Sequence, residues 1–276
     1  MNYENYKKDK NWAISMWGRA LLDEIEKTIV GEEEVRIWSL GGAGFAIKTR
    51  KAIVYIDPYF GGSPSKDWLR MIAIPINPND IRKATAVLST HEHTDHCHRD
   101  TILPILYNTE AIFIGPSKSV ELVRKWGFKD EKRIHEVKPG DIIRIEDLII
   151  KVYESRDLYS ETPVTYVLNT YAGDIFHSGD TSYFTGLKEI GDNNNIRVAL
   201  LNLGRNPRGR DDYMTPCDVV RAAIDLKAEI VVPMHYDIWK YTWEDPKLVE
   251  IIARHWNVNL KVVIMRLGDC LTITAR

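Results

Sequence analysis

The sequence has no apolar stretch near the roughly 18 residues that a membrane helix requires. Its amino terminus, MNYENYKKDKNW, also lacks the apolar core of a signal peptide. The expectation is a cytoplasmic protein without a membrane partner. Excess charge of either sign is missing too: 37 Lys and Arg against 39 Asp and Glu leave a net charge of −2. With no basic run there is no electrostatic footprint for sequence-independent nucleic-acid binding, so nucleic acid is not an expected partner. Cysteine is scarce. Cys97, Cys217 and Cys270 are far apart and form no Cys-x-x-Cys pair, which leaves buried free thiols as the expectation. There is no short-period repeat, no low-complexity linker and no Gly-x-Ser-x-Gly elbow to supply a serine nucleophile.

What remains is a chain of 276 residues, 44% hydrophobic, long enough to bury roughly 75% of the surface its unfolded form exposes. Residues 12–29 place Trp12, Trp17, Leu21, Leu22, Ile25 and Ile29 at three- and four-residue spacing, the pattern of an amphipathic helix. From Val35 the pattern shortens to VRIWSL, FAIKT and AIVYID, which read as meandering antiparallel strands. The Gly41-Gly42-Ala43-Gly44 turn between the first two is structural rather than a phosphate loop, because no Lys-Ser or Lys-Thr pair follows it. Further strands are expected at TAVLST and AIFIG, two hairpins in DIIRIEDLIIKVYE and TYVLNTYAGDIFHSGDT, and strands again at RVALLNLG, EIVVPMH and beyond Leu260. Helices are expected at 117–126, 216–226 and 245–256. Strands mixed with peripheral helices, in two halves of similar make-up, predict a layered α/β fold. Residues 1–34 are expected to form an N-terminal helix docked on the body, and 35–276 one domain without an internal boundary.

His91, His93, Asp95 and His96 fall just past an apolar strand, where a loop can turn imidazoles and a carboxylate toward one point. Both groups are good ligands for divalent transition metals. The bland alternative is a solvated polar loop, but four of the eight histidines lie between 91 and 98. His98 is expected outside the metal shell. Asp180 and His235 each close an apolar strand far away in sequence; alone they read as a turn residue and a hydrogen-bonded histidine, and together with the cluster as further ligands.

THEHTDH, the Gly179-Asp180 turn and the strand-ending His235 resemble the metallo-β-lactamase superfamily, which implies a four-layer αβ/βα sandwich with a dinuclear metal site on one edge. FIGPSKSVELVRKWGF, VKPGDIIRI, IFHSGDTSYF, GRNPRGRDDYMT and VVPMHYDIW resemble, in order and spacing, the L-ascorbate-6-phosphate lactonase family. The resemblance spans roughly residues 12–250. It implies that His91 and His93 bind a first metal, Asp95 and His96 a second, Asp180 bridges, and His235 completes the second shell. The superfamily's further histidine is missing near Glu154; Asp157 falls nearest that position, with Glu154 as second choice and His135 read as a surface residue. A carboxylate in place of an imidazole hardens the site, so one or two divalent ions are expected, Mn²⁺ before Zn²⁺.

The activity implied is hydrolysis of a phosphorylated sugar lactone, a small-molecule substrate, by hydroxide generated on the metals. Asp95 would orient the water and take its proton. His177 would hydrogen-bond substrate or a ligand carboxylate, with a buried structural role as the alternative. Arg205 and Arg208, with Asn206 between them, are the expected phosphate contacts, since guanidinium forks suit phosphate oxygens. Tyr236 and Trp239 would wall the pocket or pack in the core. A homo-oligomer is implied as well. Between Gly61 and Asp80 the chain is shorter than those lactonases, and a more open pocket is the expected consequence. The alternatives are a phosphodiesterase of the same fold and a metal-free binding protein.

Overall fold

The computed structural model describes residues 18–206 and 213–276. Helix α1 (Gly18–Lys27) leads into β1 (Glu34–Gly41), β2 (Gly44–Lys48), β3 (Ile53–Ile56), β4 (Ala86–Leu88), β5 (Ile112–Gly115) and β6 (Ile134–Glu136). These strands lie side by side in chain order, and β14 (Cys270–Thr274) closes the sheet outside β1. The second sheet repeats the arrangement with β7 (Ile142–Ile145), β8 (Leu148–Glu154), β9 (Val164–Asn169), β10 (Asp174–His177), β11 (Ile196–Asn202), β12 (Ile230–Met234) and β13 (Lys261–Val262). In each sheet the early pairs are antiparallel and the later ones parallel.

Parallel neighbours need a crossover; between β3 and β4 it is the 57–85 loop with one short 3-10 turn, and elsewhere α-helices supply it. In the first half these are α2 (Arg99–Asn108) and α3 (Ser117–Lys125); in the second, α4 (Gly186–Asp192), α5 (Pro216–Asp225) and α6 (Lys247–His255). Alternation along the strands then sorts the side chains into layers. Ile37, Phe45, Val54 and Leu88 meet Ile150, Tyr166, Leu200 and Val232 between the sheets. On one outer face Trp38, Tyr55 and Val87 pack under Leu22, Ile25, Ile105 and Val120; on the other Phe176, Ala199 and Val231 pack under Leu187, Val220 and Val249. Each fully buried aliphatic side chain contributes roughly 1.5–3 kcal/mol. The result is the four-layer αβ/βα sandwich.

Two helices were not legible in the sequence. Helix α2 carries Pro104 inside it and opens with the polar run after His98, yet Ile102, Ile105 and Leu106 are spaced to bury one face. Helix α4 is short and contains two glycines. Cys97 is buried, with its thiol pushed up to about 12 by burial, whereas Cys217 and Cys270 are only half-buried. His135 is half-buried on β6, away from the metal centre described below.

Helix α1 covers part of the predicted 12–29 segment; Trp12 and Trp17 lie outside the described residues. It is tied down by Lys48, whose buried ammonium donates to the carbonyls of Ile25 (2.7 Å) and Glu26 (3.0 Å) at the helix's last turn. These are carbonyls that a helix leaves without internal partners. Lys48→Met is expected to lower stability by about 2 kcal/mol, since hydrogen bonds to charged groups contribute that order. Urea unfolding checks it, and a loss below about 0.5 kcal/mol, the range of neutral surface changes, would contradict it.

Candidate metal centre

Histidines and carboxylates collect where the strands of both sheets end. β3 runs into Asp57, β4 into the 89–98 loop, β10 into the Gly179–Asp180 turn and β12 into His235. The Gly-rich turn after β1 packs beneath. Gly42 sits at φ +61°, its carbonyl accepts from the His235 N–H (3.0 Å), and its own N–H donates to Asp237 Oδ1 (3.2 Å). A Cβ at Gly42 would come within 2.9 Å of Ile238 Cδ1. Gly179 is similarly required, because a Cβ there would lie 2.8 Å from Thr90 Oγ1.

Three overlapping groups of ligand atoms converge: His91, His93 and Asp157; His91, His96 and Asp180; Asp95, His96 and His235. His91 Nε2 lies 2.9 Å from His93 Nδ1 and 3.5 Å from Asp157 Oδ2. His96 Nε2 is 3.3 Å from Asp180 Oδ2, and His235 Nε2 is 3.2 Å from Asp95 Oδ2 and 3.7 Å from Asp180 Oδ1. Asp180 therefore stands between the two sets. Glu154 is turned away and pairs with Arg156 (3.2 Å), so Asp157 is the carboxylate brought to the first set.

Three of these atoms, His96 Nε2, Asp157 Oδ2 and Asp180 Oδ1, are buried without a hydrogen-bond partner. An unsatisfied buried polar group costs about 1–3 kcal/mol. Three such atoms, all imidazole nitrogen or carboxylate oxygen and spread over the convergent groups, fit divalent cations.

The electrostatics agree. Burial alone would lower the His96 and His235 pKa values, but Asp180 with Asp57 or Asp95 outweighs it and raises both. Burial would raise Asp95 and Asp180, yet the neighbouring imidazoles hold both carboxyls well below the usual carboxylate range. In the other set, burial and the charge of His96 push His91 well down, while burial and the charge of Asp180 push Asp157 up. The carboxylates thus favour positive charge at the centre, which a proton or a metal ion can supply.

Sequence reasoning missed the residue beneath this centre. Asp57 is fully buried at φ +45° and accepts from the Thr90 N–H (2.8 Å), the Thr90 hydroxyl (2.7 Å) and His96 Nδ1–H (2.7 Å). Because the Thr90 hydroxyl hydrogen points to Asp57, its oxygen is left to accept from His91 Nδ1–H (3.0 Å). Both imidazoles are thereby fixed with Nε2 toward the centre. The signal was available: Asp57 closes an apolar strand as Asp180 does.

A cavity of about 340 Å³ opens over the centre, with Asp95, Asp157 and Asp180 in its floor and Trp68, Tyr159, Tyr213 and Trp239 around it. The short 61–80 loop does not leave it uncovered, since Pro64, Ser65 and Trp68 line it. Arg70 holds that loop: its buried guanidinium donates to the carbonyls of Tyr59, Gly61, Ile72 and Ala73. Trp239 both walls the cavity and donates its indole N–H to Asp95 Oδ2 (2.9 Å).

Other residues fall to one of the stated alternatives or lie elsewhere than expected. His177 is fully buried; its Nε2–H donates to the Ala43 carbonyl (2.9 Å) and its Nδ1 accepts from the Gly179 N–H (3.2 Å). Both nitrogens are spent on backbone, so its role is structural. Tyr236 donates its hydroxyl to the Met265 carbonyl (3.3 Å) and does not line the cavity. Asn206 clamps the backbone of Tyr213 with both ends of its amide (2.6 and 2.9 Å), and Arg205 is exposed away from the cavity wall. Arg208 lies outside the described residues. His98 bonds Thr101 Oγ1 (2.8 Å) at the start of α2 and stays outside the ligand groups, as expected.

The sequence profile of the beta-lactamase superfamily domain matches residues 53–236, two thirds of the chain. The chain belongs to the metallo-β-lactamase superfamily. Among its superfamily relatives is a probable L-ascorbate-6-phosphate lactonase of Escherichia fergusonii, 30% identical, with 88% of this chain and 82% of that one covered. A metallo hydrolase from Ignicoccus hospitalis shares the superfamily fold at TM-score 0.72 and 22% identity, covering 88% of this chain and 100% of its own. So does an isothiocyanate hydrolase from Delia radicum gut bacteria, at TM-score 0.72 and 18% identity over 87% and 100%. This membership and the convergent histidines and carboxylates support a metal-dependent hydrolase.

Proposed function

We propose that this chain is a metal-dependent lactonase that opens L-ascorbate-6-phosphate or a related phosphorylated sugar lactone. The observation that carries the hydrolytic part is the set of buried, unpartnered ligand atoms beneath the aromatic-walled cavity. The lactonase part is supported by the relative at 30% identity. His91, His93 and Asp157 would hold one ion, Asp95, His96 and His235 a second, with Asp180 shared. Mn²⁺ is preferred over Zn²⁺ because carboxylates supply so many of the donors. When bound, such ions polarise an ester carbonyl and acidify water.

The chain's own residues do the rest. Asp95 faces the cavity with Oδ2 held by the Trp239 indole N–H, which would turn its carboxylate toward a water there and let it accept the proton. Trp68, Tyr159, Tyr213 and Trp239 offer ring faces and edges to a sugar ring and exclude bulk water. Arg208 is the proposed phosphate contact, resting on the NPRG string. Arg208→Ala is expected to raise KM about tenfold or more for a phosphorylated lactone, the equivalent of one charge-assisted hydrogen bond, and to leave the unphosphorylated counterpart little changed. Equal effects on the two substrates would remove that role.

The test of the proposal is an anaerobic assay of Mn²⁺-loaded protein on L-ascorbate-6-phosphate, with bis-p-nitrophenyl phosphate as a diester control. Ring opening without diester cleavage is expected. Diester cleavage alone would transfer the protein to the phosphodiesterases.

A further inference from the structure

Asp157 is the ligand that departs from the superfamily's imidazole, and it is carried by a loop rather than by a strand end. It sits between β8 and β9, with its Oδ2 buried and unpartnered and its Oδ1 accepting from the Tyr159 N–H (2.9 Å). A ligand on a loop is only as well placed as the loop. Near Asp157 the loop is gripped from the His91–His96 segment at two points. One is His93, whose Nε2–H donates to the Tyr159 carbonyl (3.2 Å), leaving Nδ1 toward His91 and Asp157. The other is Glu92, which lies between the two histidine ligands. Glu92 Oε2 accepts from the Ser160 hydroxyl (2.7 Å) and Oε1 from the Glu161 N–H (3.0 Å).

We infer that Glu92 is a positioning residue that sets the affinity of the first metal site by holding the Asp157 loop against His91 and His93. This rests on the dinuclear reading above. Glu92 is absent from the three convergent ligand groups, and both of its carboxylate oxygens are engaged by the loop, so it acts through Asp157. Its removal leaves Asp57, Thr90, His96 and His235 in place, and the second site keeps its support. The asymmetry is what a general loss of folding would not produce.

The experiment is Mn²⁺ binding at equilibrium, by dialysis against buffered free Mn²⁺ with metal counted by mass spectrometry, on wild type, Glu92→Ala and Ser160→Ala, with thermal midpoints of the metal-free proteins beside it. Wild type is expected to bind two ions. Glu92→Ala is expected to leave one of the two affinities unchanged and to weaken the other by about 10–100-fold, the range for residues that orient metal ligands. Ser160→Ala, which removes one of the two bonds, should fall between. Its graded effect keeps the inference testable if Glu92→Ala fails to fold. Two ions in wild type with unchanged affinities in the variants, or with both affinities weakened equally, would overturn the positioning role and leave the dinuclear reading standing. A wild type that never binds a second ion would overturn both.

Discussion

Replacing Asp95 with alanine is expected to reduce lactone hydrolysis by at least about a thousandfold while the protein remains folded. General-base assistance is typically worth 10²–10⁴-fold, and Asp95 in addition converges with His96 and His235 in one ligand group. The fold should survive because Asp95 lies on a loop at the cavity floor, outside the apolar clusters. Removing it deletes a carboxylate from an anionic cluster while Asp180 still balances His96 and His235. Activity and the urea unfolding midpoint should therefore separate. Turnover within tenfold of wild type would contradict the role, as would a collapse of the fold that accounts for the lost activity. His93→Ala is expected to behave alike, through loss of the first ion.

Asp57→Asn is expected to combine a large stability loss with a loss of activity. The substitution keeps the shape of the side chain and its tolerance of φ +45°, a conformation Asn adopts more readily than other residues. What changes is the ability to accept. Oδ2 takes hydrogen bonds from both the Thr90 hydroxyl and His96 Nδ1–H; an amide NH₂ there would face two donors, and turning the amide over would set it against the Thr90 N–H. Breaking a buried charge pair by removing one partner costs about 3–5 kcal/mol. Released from Asp57, His96 and, through Thr90, His91 lose the orientation that points Nε2 at the centre. Urea unfolding of the metal-free protein measures the first effect and Mn²⁺ affinity the second. A metal-free stability within about 1 kcal/mol of wild type would show that the Asp57 network is not what holds the site, since most single substitutions cost that much.

Much of this was legible from residue order alone, and the boundary of legibility has physical causes. Strands such as VRIWSL and EIVVPMH announce themselves because buried sheet requires runs of β-branched and apolar residues. The placement of Asp180 and His235, which close such strands, inherits that clarity, as does that of the four side chains in the compact 91–96 string. Helix α2 escaped because its burial depends on three side chains while Pro104 and its polar opening argue the other way. His177 was misread because proximity to Asp180 in sequence does not say which way a strand's side chain points. His177 follows Ile175 by two on β10, the side facing between the sheets, where the Ala43 carbonyl and Gly179 N–H claim it. Asp57 and Glu92 were missed for a related reason: each acts by accepting hydrogen bonds from segments that only the fold brings near, 33 to 69 residues away. Asn206 shows the converse, a polar residue in a functional-looking string whose amide is consumed locally by Tyr213.

If hydrolysis is performed at the cavity by ions held on this set of histidines and carboxylates, its rate follows their number. The most direct measurement is lactone-opening rate against equivalents of Mn²⁺ added back to protein stripped with chelator. The stripped protein is expected to be inactive and the rate to rise to a plateau at two equivalents. Full activity in the stripped protein, or a rate indifferent to added metal, would contradict the account.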